Sequence, residues 1–585
     1  MKSSDELRTL LRSIDHKSYP AYKSLAGGWR YPSFCLYIDH VQGDPFASPS
    51  SVHIELSHTY TKLPSAYFSK DCMRIALQDF LTRKLSEQFE QYNFKAKGSG
   101  KSGLLSISRC GQKVLERSAC RITGESLILR FHIGFPAFGR TINAGELEKI
   151  LFDFLPRCIE SSLLYSRLNP KEVEAAVFLA EDQEEIRSFL QKEGLVSFVA
   201  NGSILPRKSG VSQLPMKDSI PFQSPASMEQ TIHLPHYGDI TGMAVPQGVT
   251  LIVGGGYHGK STLLSAIQDG VYNHIKGDGR EFVITEDTAM KLRAEDGRSI
   301  RNVDISLFIN DLPNKKDTRC FSTEDASGST SQAAGVIESM ESGSRLFLMD
   351  EDTSATNFMV RDAFMQQVIG RDKEPITPFI ERVRTLYETA GISTIMVAGS
   401  SGAFFYIADH ILLMDCYRAV DITERVKALC EEQPASHGEV PDFTLPDFQR
   451  VLPDYQRKQS DRPSYKGRQN SGKNADRGDS RNSRHEHMKI KSSGVESFSL
   501  DKEIINVRYL EQLADSEQTT ALAYLLRYCL EQVMDGKRTV QESIQLVMDT
   551  FEDKGWSAFC SPYIPCGLAK PRVQELYACL NRFRG

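Results

Sequence analysis

One short segment constrains the fold more than any other part of this sequence. Thr250-Leu-Ile-Val is an apolar run, Gly254 to Ser261 fits the pattern GxxxxGK[ST], and a helix-forming run follows. In such a strand, loop and helix, glycines let backbone N–H groups close around phosphate oxygens, and the helix N-terminus adds its dipole. The segment therefore predicts a phosphate-binding loop that joins a buried strand to a helix.

The side chains of this segment predict an ATP site with Mg²⁺. Lys260 would reach the outer phosphates, and Ser261 would bind the metal ion. The predicted nucleotide-binding residues here are Gly254, Gly255, Gly256, Gly259, Lys260, Ser261 and Thr262. The alternative is a chance glycine-rich turn, which the flanking strand and helix disfavour.

A second apolar strand, within Arg345-Leu-Phe-Leu-Met-Asp-Glu, ends in two acids. Asp350 would bind Mg²⁺ through water, and Glu351 would polarise the attacking water as the general base. Apolar strands often end in acids without any catalytic role. The preceding phosphate loop in the same chain favours the catalytic interpretation.

The stretch Ala326-Ser-Gly-Ser-Thr resembles a degenerate form of the signature LSGGQ of the ABC ATPases. Ser327 precedes Asp350 by 23 residues, which is the interval that this family uses between its signature and its acidic strand. Ser327 and Gly328 at a helix N-terminus would bind a phosphate from outside. Read alone, the serines would be an ordinary helix cap. Asp352-Thr-Ser-Ala-Thr-Asn resembles the family's D-loop and supports the signature.

The resemblance to ABC nucleotide-binding domains covers about residues 230 to 430, with two departures. Where the family usually has a glutamine after the strand that follows the phosphate loop, this sequence offers Asn310. Where the family has a switch histidine, Val397-Ala-Gly-Ser-Ser-Gly places Ser400. A serine carries no imidazole charge and spans a shorter distance, so we expect slow hydrolysis with intact binding.

The whole chain resembles a small family of soluble ABC-class ATPases that have one nucleotide-binding domain. The phrases that carry this resemblance are Tyr37-Ile-Asp-His-Val-Gln-Gly-Asp-Pro-Phe-Ala, Phe198-Val-Ala-Asn-Gly-Ser-Ile-Leu-Pro-Arg, Pro375-Ile-Thr-Pro-Phe and the Gly-Ser-Ser-Gly loop. In that family the Gly-Ser-Ser-Gly loop is usual. A kinetoplastid relative is associated with mitochondrial RNA processing, so the resemblance implies a link to RNA.

The fold class that follows is α/β, with an ABC-type P-loop core. We expect an N-terminal α/β domain at 1–215, the ATP-binding domain at 216–452, a basic linker at 453–497 and a helical C-terminal domain at 498–585. The linker is predicted to be disordered, because residues 456–491 hold eleven Lys or Arg, four Asp or Glu and almost no apolar side chains.

Composition indicates where the protein is located more clearly than what it binds. No apolar run approaches the roughly 18 to 20 residues that span a bilayer, and no signal peptide is evident, so we expect a cytoplasmic protein. The twelve cysteines include no CxxC pair and are interpreted as reduced thiols. A net charge of −5 gives no global attraction to nucleic acid.

Local basic segments could still bind RNA. These are Lys95, Lys97, Lys101, Arg109, Lys113, Arg117 and Arg121 in the N-terminal part, together with the linker. The alternative is that these residues bind nothing, since basic linkers are often solvated tethers and scattered surface lysines are common. If the partner is a macromolecule, RNA is the first hypothesis.

One phosphate loop and one signature per chain predict a head-to-tail homodimer, in which each signature completes the partner's site. The leading function is an ATPase that switches conformation on a macromolecule. One alternative is an ATP-sensing scaffold that hydrolyses negligibly and binds proteins. Another is an ATPase subunit docked on a separate permease, which the long N-terminal domain disfavours.

Overall fold

The structure is a computed structural model that describes residues 1–361, 368, 370, 373–433, 444–455 and 487–584. An antiparallel sheet lies near the N-terminus, two sheets flank the phosphate loop, and a small sheet precedes the C-terminal helices. The predicted basic linker falls largely outside the described residues.

The N-terminal sheet is antiparallel apart from its first pair, with the order β1-β2-β3-β4-β7-β5 and with β6 also paired to β7. The strands of this region are β1 (Lys2–Ser3), β2 (Gly27–Arg30), β3 (Cys35–His40), β4 (Ser50–Ser57), β5 (Leu105–Ser106), β6 (Cys120–Ile122), β7 (Ser126–Ile133), β8 (Ala137–Phe138) and β9 (Thr141–Ile142). Its helices are α1 (Ser4–Ser13), α2 (His58–Thr61), α3 (Asp71–Tyr92), α4 (Ala144–Lys149) and α5 (Leu155–Leu163). In β4, Val52, Ile54 and Leu56 are buried while His53 and Glu55 between them are partly exposed, so one face meets the core.

Strand β5 is only two residues long, and the register of the sheet explains why. Strand β5 pairs with Ile133 and His132, whereas β6 takes the next part of the same edge at Leu127–Leu129. Helix α1 begins at Ser4, near the N-terminus. Its N-terminus is a capping box, in which the backbone N–H of Glu6 donates to Ser3 Oγ at 3.2 Å.

The region around the phosphate loop contains an antiparallel sheet, β11-β12-β10-β14, and a mostly parallel sheet, β15-β18-β19-β13-β20-β21. The strands are β10 (Leu195–Ala200), β11 (Glu229–Leu234), β12 (Gly238–Pro246), β13 (Val249–Val253), β14 (Val283–Thr285), β15 (Met290–Leu292), β16 (Arg298–Val303), β17 (Phe321–Ala326), β18 (Leu346–Asp350), β19 (Ser393–Val397), β20 (His410–Asp415) and β21 (Arg418–Asp421). The helices are α6 (Pro170–Glu193), α7 (Lys260–Asp269), α8 (Gly328–Glu341), α9 (Thr356–Met359), α10 (Phe379–Ala390) and α11 (Thr423–Glu432).

Strands β18 and β19 are buried along their whole length, as their apolar sequences predict for a parallel sheet covered on both faces. Strand β13 lies between β19 and β20, so the phosphate loop emerges beside the ends of both neighbours. Strand β10 precedes the predicted domain boundary at 215/216 but pairs with β12 beyond it. The domain bounds themselves stay a prediction.

The C-terminal region is helical, as predicted, behind a three-stranded antiparallel meander. Its elements are β22 (Ile490–Ser493), β23 (Ser497–Leu500), β24 (Glu503–Asn506), α12 (Ser516–Tyr528), α13 (Val540–Lys554) and α14 (Val573–Asn581). One hydrophobic core runs from Phe347 of β18 through Val336 of α8 to Leu522 of α12. The C-terminal helices therefore pack directly on the phosphate-loop region.

Buried ion pairs join the N-terminal region to both other regions. Arg117 donates to Asp515 and to Glu517, each at 2.5 Å, and its side chain is 2% exposed. Lys113 donates to Asp269 Oδ1 at 2.6 Å, at the end of α7. The expectation that Lys113 and Arg117 belong to a basic surface is wrong, because both are buried between regions of the chain.

No helix within the described ranges is long and apolar enough to cross a membrane. All twelve cysteines are free thiols.

The buried pairs of Arg117 predict a large loss of stability in the Arg117→Gln protein. Two carboxylates would lose their partner, and breaking a buried ion pair costs about 3 to 5 kcal/mol. Urea unfolding measures this loss. The matched control is Arg109→Gln, because Arg109 is 83% exposed and lies 3.7 Å from Glu90. The control is expected to cost less than about 1 kcal/mol. Equal losses in the two variants would contradict the assignment.

Candidate functional site

The phosphate loop occupies residues 254–259, between the end of β13 and the start of α7. Gly254 has φ +141°, and a Cβ there would lie 2.4 Å from the carbonyl oxygen of Met414. Gly259 has φ +99°, and its Cβ would lie 3.0 Å from Tyr417 Cδ1. Both positions require glycine for two reasons. The backbone has a positive φ, and a side chain would collide with the β20–β21 hairpin.

The remaining loop positions are more open. A Cβ at Gly256 would have no heavy atom within 4 Å, and one at Gly255 would lie 3.3 Å from His258 Cδ2. Thr262 follows Ser261 in the first turn of α7 and is half-buried. No side chain caps this helix, so its first N–H groups are available to an anion.

Lys260 and Ser261 bring a cation and a hydroxyl to the loop. Lys260 Nζ donates to the carbonyl oxygens of Gly254, at 2.7 Å, and Gly255, at 2.8 Å. Ser261 Oγ donates to Asp350 Oδ2 at 3.2 Å, which joins α7 to the end of β18. A hydroxyl and a carboxylate this close are the oxygen ligands that Mg²⁺ prefers, so the residues present fit that ion.

Glu351 is held by the loop that follows β19. Its Oε2 accepts hydrogen bonds from the backbone N–H groups of Gly399, at 2.6 Å, and Ser400, at 3.0 Å. The Ser400 hydroxyl donates to Oε1 of the same carboxylate. Burial raises the pKa of Glu351, but these hydrogen bonds and the charge of Lys260 outweigh burial, so the net pKa lies below its usual value. The structure thus brings together the predicted base and the predicted replacement for the histidine.

The serine-rich segment forms the N-terminus of α8. Ser327 caps this helix and accepts a hydrogen bond from the N–H of Thr330 at 3.4 Å. A Cβ at Gly328 would lie 3.3 Å from Asp296 Oδ1. Across the described part of the chain, no hydrogen bond joins Ser327 or Gly328 to the chain's own phosphate loop. Ser327 therefore has the capping role that the sequence left open. Its contact with a second copy stays a prediction.

Asn310 is not joined to the phosphate loop by any hydrogen bond in the ranges described. Its side-chain Nδ2 donates to the carbonyl oxygen of Ser306 at 2.6 Å, and its backbone N–H donates to Pro375 at 2.9 Å. The side chain therefore closes its own loop. Its role at a nucleotide stays a prediction.

Gln332 is a functional candidate that the sequence analysis missed. Its Oε1 accepts from the N–H of Ala355 at 2.8 Å, and its Nε2 donates to Ser354 Oγ at 3.0 Å. Ser354 Oγ in turn donates to the carbonyl oxygen of Asp350 at 2.9 Å. Helix α8 is thereby fixed to the segment that follows Asp350 and Glu351. Its position just after the signature-like serines was the available signal.

The other side of the phosphate loop meets the β20–β21 hairpin. His258 Nδ1 accepts from the backbone N–H of Cys416 at 3.0 Å and lies 3.2 Å from Asp415 Oδ1. These three side chains form a group of metal-ligand types, all at least partly exposed. Hydrogen bonding with Asp415 raises the pKa of the Cys416 thiol, which disfavours the thiolate that a metal would need. We assign the group to holding the loop on the hairpin.

Three family models match successive parts of the chain. Residues 4–166 match the N-terminal domain of ATPases of the ABC class, residues 169–449 match the P-loop domain of the ABC ATPases, and residues 489–585 match the MRB1590 C-terminal domain. These matches confirm the predicted fold class.

One curated relative and two solved structures are similar over part of the chain. An uncharacterized protein of Methanocaldococcus jannaschii is 30% identical over 256 residues, which are 41% of this chain and 55% of that protein. The chain thus spans about half the length of this relative. The ADP conformation of MJ1267, an ATP-binding cassette of an ABC transporter, is 13% identical, with 41% of this chain and 96% of that chain covered and a TM-score of 0.25. The structure of cbiO1 from Clostridium perfringens, part of the ABC transporter complex cbiONQ, is also 13% identical, with 41% and 93% covered and a TM-score of 0.26.

The contact between Ser400 and Glu351 predicts a shift in the pH profile of ATP hydrolysis. The hydrogen bond from Ser400 Oγ lowers the pKa of Glu351, and a general base works only when ionised. In Ser400→Ala the pKa of Glu351 rises. As the pH is lowered, this variant is therefore expected to lose activity at a higher pH than wild type does.

The measurement is kcat against pH for wild type, Ser400→Ala and the control Ser401→Ala. Ser401 Oγ accepts a hydrogen bond from the N–H of Ala403 at 3.3 Å. The control should keep the wild-type acid limb. An unmoved limb in Ser400→Ala would show that Ser400 does not tune the base.

Proposed function

The chain belongs to the family of ABC-class ATPases that combine this P-loop domain with these N-terminal and C-terminal domains, and on that premise we propose a switching ATPase. It binds ATP with Mg²⁺ and hydrolyses it slowly in a head-to-tail homodimer. The resulting change in conformation acts on a macromolecule, with RNA as the first candidate. Its predicted location is the cytoplasm.

The observation that carries this proposal is the convergence of four side chains on one end of the parallel sheet. Lys260 and Ser261 lie at the start of α7, and Asp350 and Glu351 lie at the end of β18. They supply a cation for phosphates, two oxygen ligands and a general base. This is the set that phosphoryl transfer to water requires.

Each of these residues has a separate role. Lys260 neutralises the outer phosphates while the N–H groups of the loop orient them. Ser261 and Asp350 would hold Mg²⁺, which when bound neutralises charge on the phosphates. Glu351 accepts a proton from the attacking water. Because Gly399 and Ser400 donate to both of its oxygens, the carboxylate must share its lone pairs with the protein.

That restraint supports slow turnover. A carboxylate that accepts three hydrogen bonds is a weaker base and is less free to orient water. Ser400 also supplies no positive charge toward the phosphates. The same observation favours the second candidate, an ATP-sensing scaffold that binds protein partners and hydrolyses negligibly.

The dimer is proposed from the position of the signature-like segment. Ser327 and Gly328 begin α8, and the helix N-terminus can bind a phosphate. Within the described ranges they make no hydrogen bond to the phosphate loop of their own chain. In a head-to-tail dimer, Ser327 and Gly328 of each copy would contact the phosphates bound by the other copy. The two-fold axis repeats this contact, so the dimer has two equivalent sites.

Helix α7 offers a direct path from the phosphates to the outer regions. Its first residue is Lys260 and its last is Asp269, which binds Lys113 of the N-terminal region. Next to Asp269, Gln268 Nε2 donates to the carbonyl oxygen of Glu511 in the C-terminal region at 3.2 Å. A displacement of α7 on ATP binding would therefore move contacts with both regions.

RNA is proposed on fewer residues than the sequence indicated. Lys95, Lys97 and Arg109 are exposed, whereas Lys113 and Arg117 are used in buried pairs. The linker residues 456–486 lie outside the described residues.

The Glu351→Gln protein tests the enzyme and the dimer together. Removing a general base lowers turnover by at least about 100-fold, while ATP binding remains. Steady-state hydrolysis is measured with and without single- and double-stranded RNA, and the mass in solution is measured with ATP. We expect wild type to turn over, RNA to change the rate, and Glu351→Gln to form an ATP-stabilised dimer.

The control is Asp352→Asn, a neighbouring acid whose backbone N–H, and not its carboxylate, contacts Asp350. It should keep most of the activity. If wild type and Glu351→Gln both fail to hydrolyse ATP and RNA has no effect, the scaffold becomes the better account.

A further inference from the structure

Three phenylalanines of the N-terminal region present their rings to solvent. Phe46 is 63% exposed, Phe94 is 46% exposed and Phe138 is 64% exposed. Large exposed apolar side chains are common singly, but a group on one surface marks an interaction site.

Hydrogen bonds between three loops bring the backbone segments that carry these rings next to one another. The N–H of Lys101 donates to the carbonyl oxygen of Pro45 at 2.8 Å, beside Phe46. The N–H of Ser99 donates to the carbonyl oxygen of Ala137 at 2.7 Å, beside Phe138. The loop at 98–103 is therefore the link between the other two.

Phe94 and Phe46 are held against this linking loop. The backbone N–H of Phe94 donates to the carbonyl oxygen of Gly103 at 2.9 Å. A Cβ on Gly100 would lie 2.9 Å from Phe46 Cδ1, so that ring rests against the glycine backbone. Among the residues that the structure describes, none of the three rings contacts another aromatic ring. About half or more of each of the three residues is open to a ligand.

Three lysines lie on the same loops as the rings. Lys95 and Lys97 are exposed and flank Ala96 directly after Phe94, and Lys101 is half-buried beside Pro45. Lys95 Nζ lies 4.8 Å from the centre of the Tyr92 ring and forms no ion pair among the described residues. We name Phe46, Phe94, Phe138, Lys95, Lys97 and Lys101 the aromatic-basic surface.

The acids near this surface are already paired. Asp44 accepts from Arg140 Nε at 2.6 Å. Glu146 accepts from Lys149 Nζ at 2.5 Å and from the backbone N–H of Lys97 at 2.9 Å. The three lysines are thus left to set a positive potential around the rings.

We propose that the aromatic-basic surface binds an unpaired polynucleotide strand, with bases stacked on the phenyl rings and phosphates beside the lysines. Exposed rings on loops that also carry three lysines match the alternation of base and phosphate along a single strand. A duplex hides its base faces and would use the lysines alone. The proposal rests on the proposed action on a macromolecule and specifies which form of nucleic acid is bound and where.

The linking loop contains Gly98-Ser-Gly-Lys-Ser-Gly103, which resembles a phosphate loop but cannot act as one. The N–H groups of Ser99, Lys101 and Ser102 already donate to backbone carbonyls. Recognition of phosphates at this surface therefore falls to the lysine side chains.

The test measures direct binding without nucleotide, so its outcome does not depend on ATP hydrolysis. The probes are fluorescein-labelled 20-nucleotide oligo-U RNA, the matching oligo-dT DNA, and a 20-base-pair RNA duplex, followed by fluorescence anisotropy over a series of salt concentrations. Three triple variants of Phe46, Phe94 and Phe138 are compared, with all three rings changed to Ala, to Leu or to Trp. ATP binding by each variant reports on folding.

We expect wild type to bind both single strands more tightly than the duplex. The triple Ala and triple Leu proteins should each lose at least tenfold in affinity for oligo-U, while the triple Trp protein keeps or gains affinity, since stacking needs a π face. Changing Lys95, Lys97 and Lys101 to Gln should reduce the salt dependence by a slope of about 2.

The control replaces other exposed apolar side chains, with Val211, Ile504 and Leu546 changed together to Ala. These residues are 99%, 69% and 41% exposed. This protein should bind oligo-U as wild type does.

Several outcomes would overturn the proposal. One is the absence of binding to either single strand. Another is equal binding of duplex and single strand with no loss in the triple Leu protein. Binding of vesicles of 30% phosphatidylserine, or a self-association by mass, that the triple Leu protein retains would assign the rings to a membrane or to a second copy instead.

Discussion

The ion pairs of the Asp269 carboxylate hold the far end of α7 to the N-terminal region, and the proposed path outward from the phosphate loop depends on them. The carboxylate lies at the last residue of α7 and pairs with Lys113 at 2.6 Å and with Arg280 at 2.7 Å. Burial raises the pKa of Asp269, but the two cations outweigh it and lower the pKa to about 2. The group is therefore ionised at neutral pH, and α7 stays attached to the N-terminal region at the end opposite the phosphate loop.

Helix α7 therefore connects the phosphate loop to the other two regions of the chain. At one end of α7, Lys260 and Ser261 meet Gly254 and Asp350. At the other end, Asp269 pairs with Lys113 of the N-terminal region, and Gln268 donates to Glu511 of the C-terminal region. A rigid helix that is ten residues long transmits a small displacement, because packed interiors deform little. The slow hydrolysis that we propose for a restrained Glu351 would suit a switch that holds one state for long periods.

Local sequence patterns predicted the parts of the site that are local in the chain. The helix that starts at Lys260 and the strand that ends in Asp350 depend on neighbouring residues, and both form where the sequence predicts them. The cap at Ser327 is the alternative that the sequence analysis had disfavoured. The restraint on Glu351 comes from Ser400, 49 residues away, and required the pairing of β18 with β19. Arg117 has its partner 400 residues away, so its spacing in the sequence resembled a surface pattern while the residue is buried.

We infer that ATP binding at the phosphate loop changes the contacts at the far end of α7. Hydrogen–deuterium exchange, with and without a non-hydrolysable ATP analogue and Mg²⁺, measures this change. Exchange is expected to change at 254–262 and also at 111–118, 268–280 and 511–518. A change confined to 254–262 would show that nucleotide binding is not transmitted along α7.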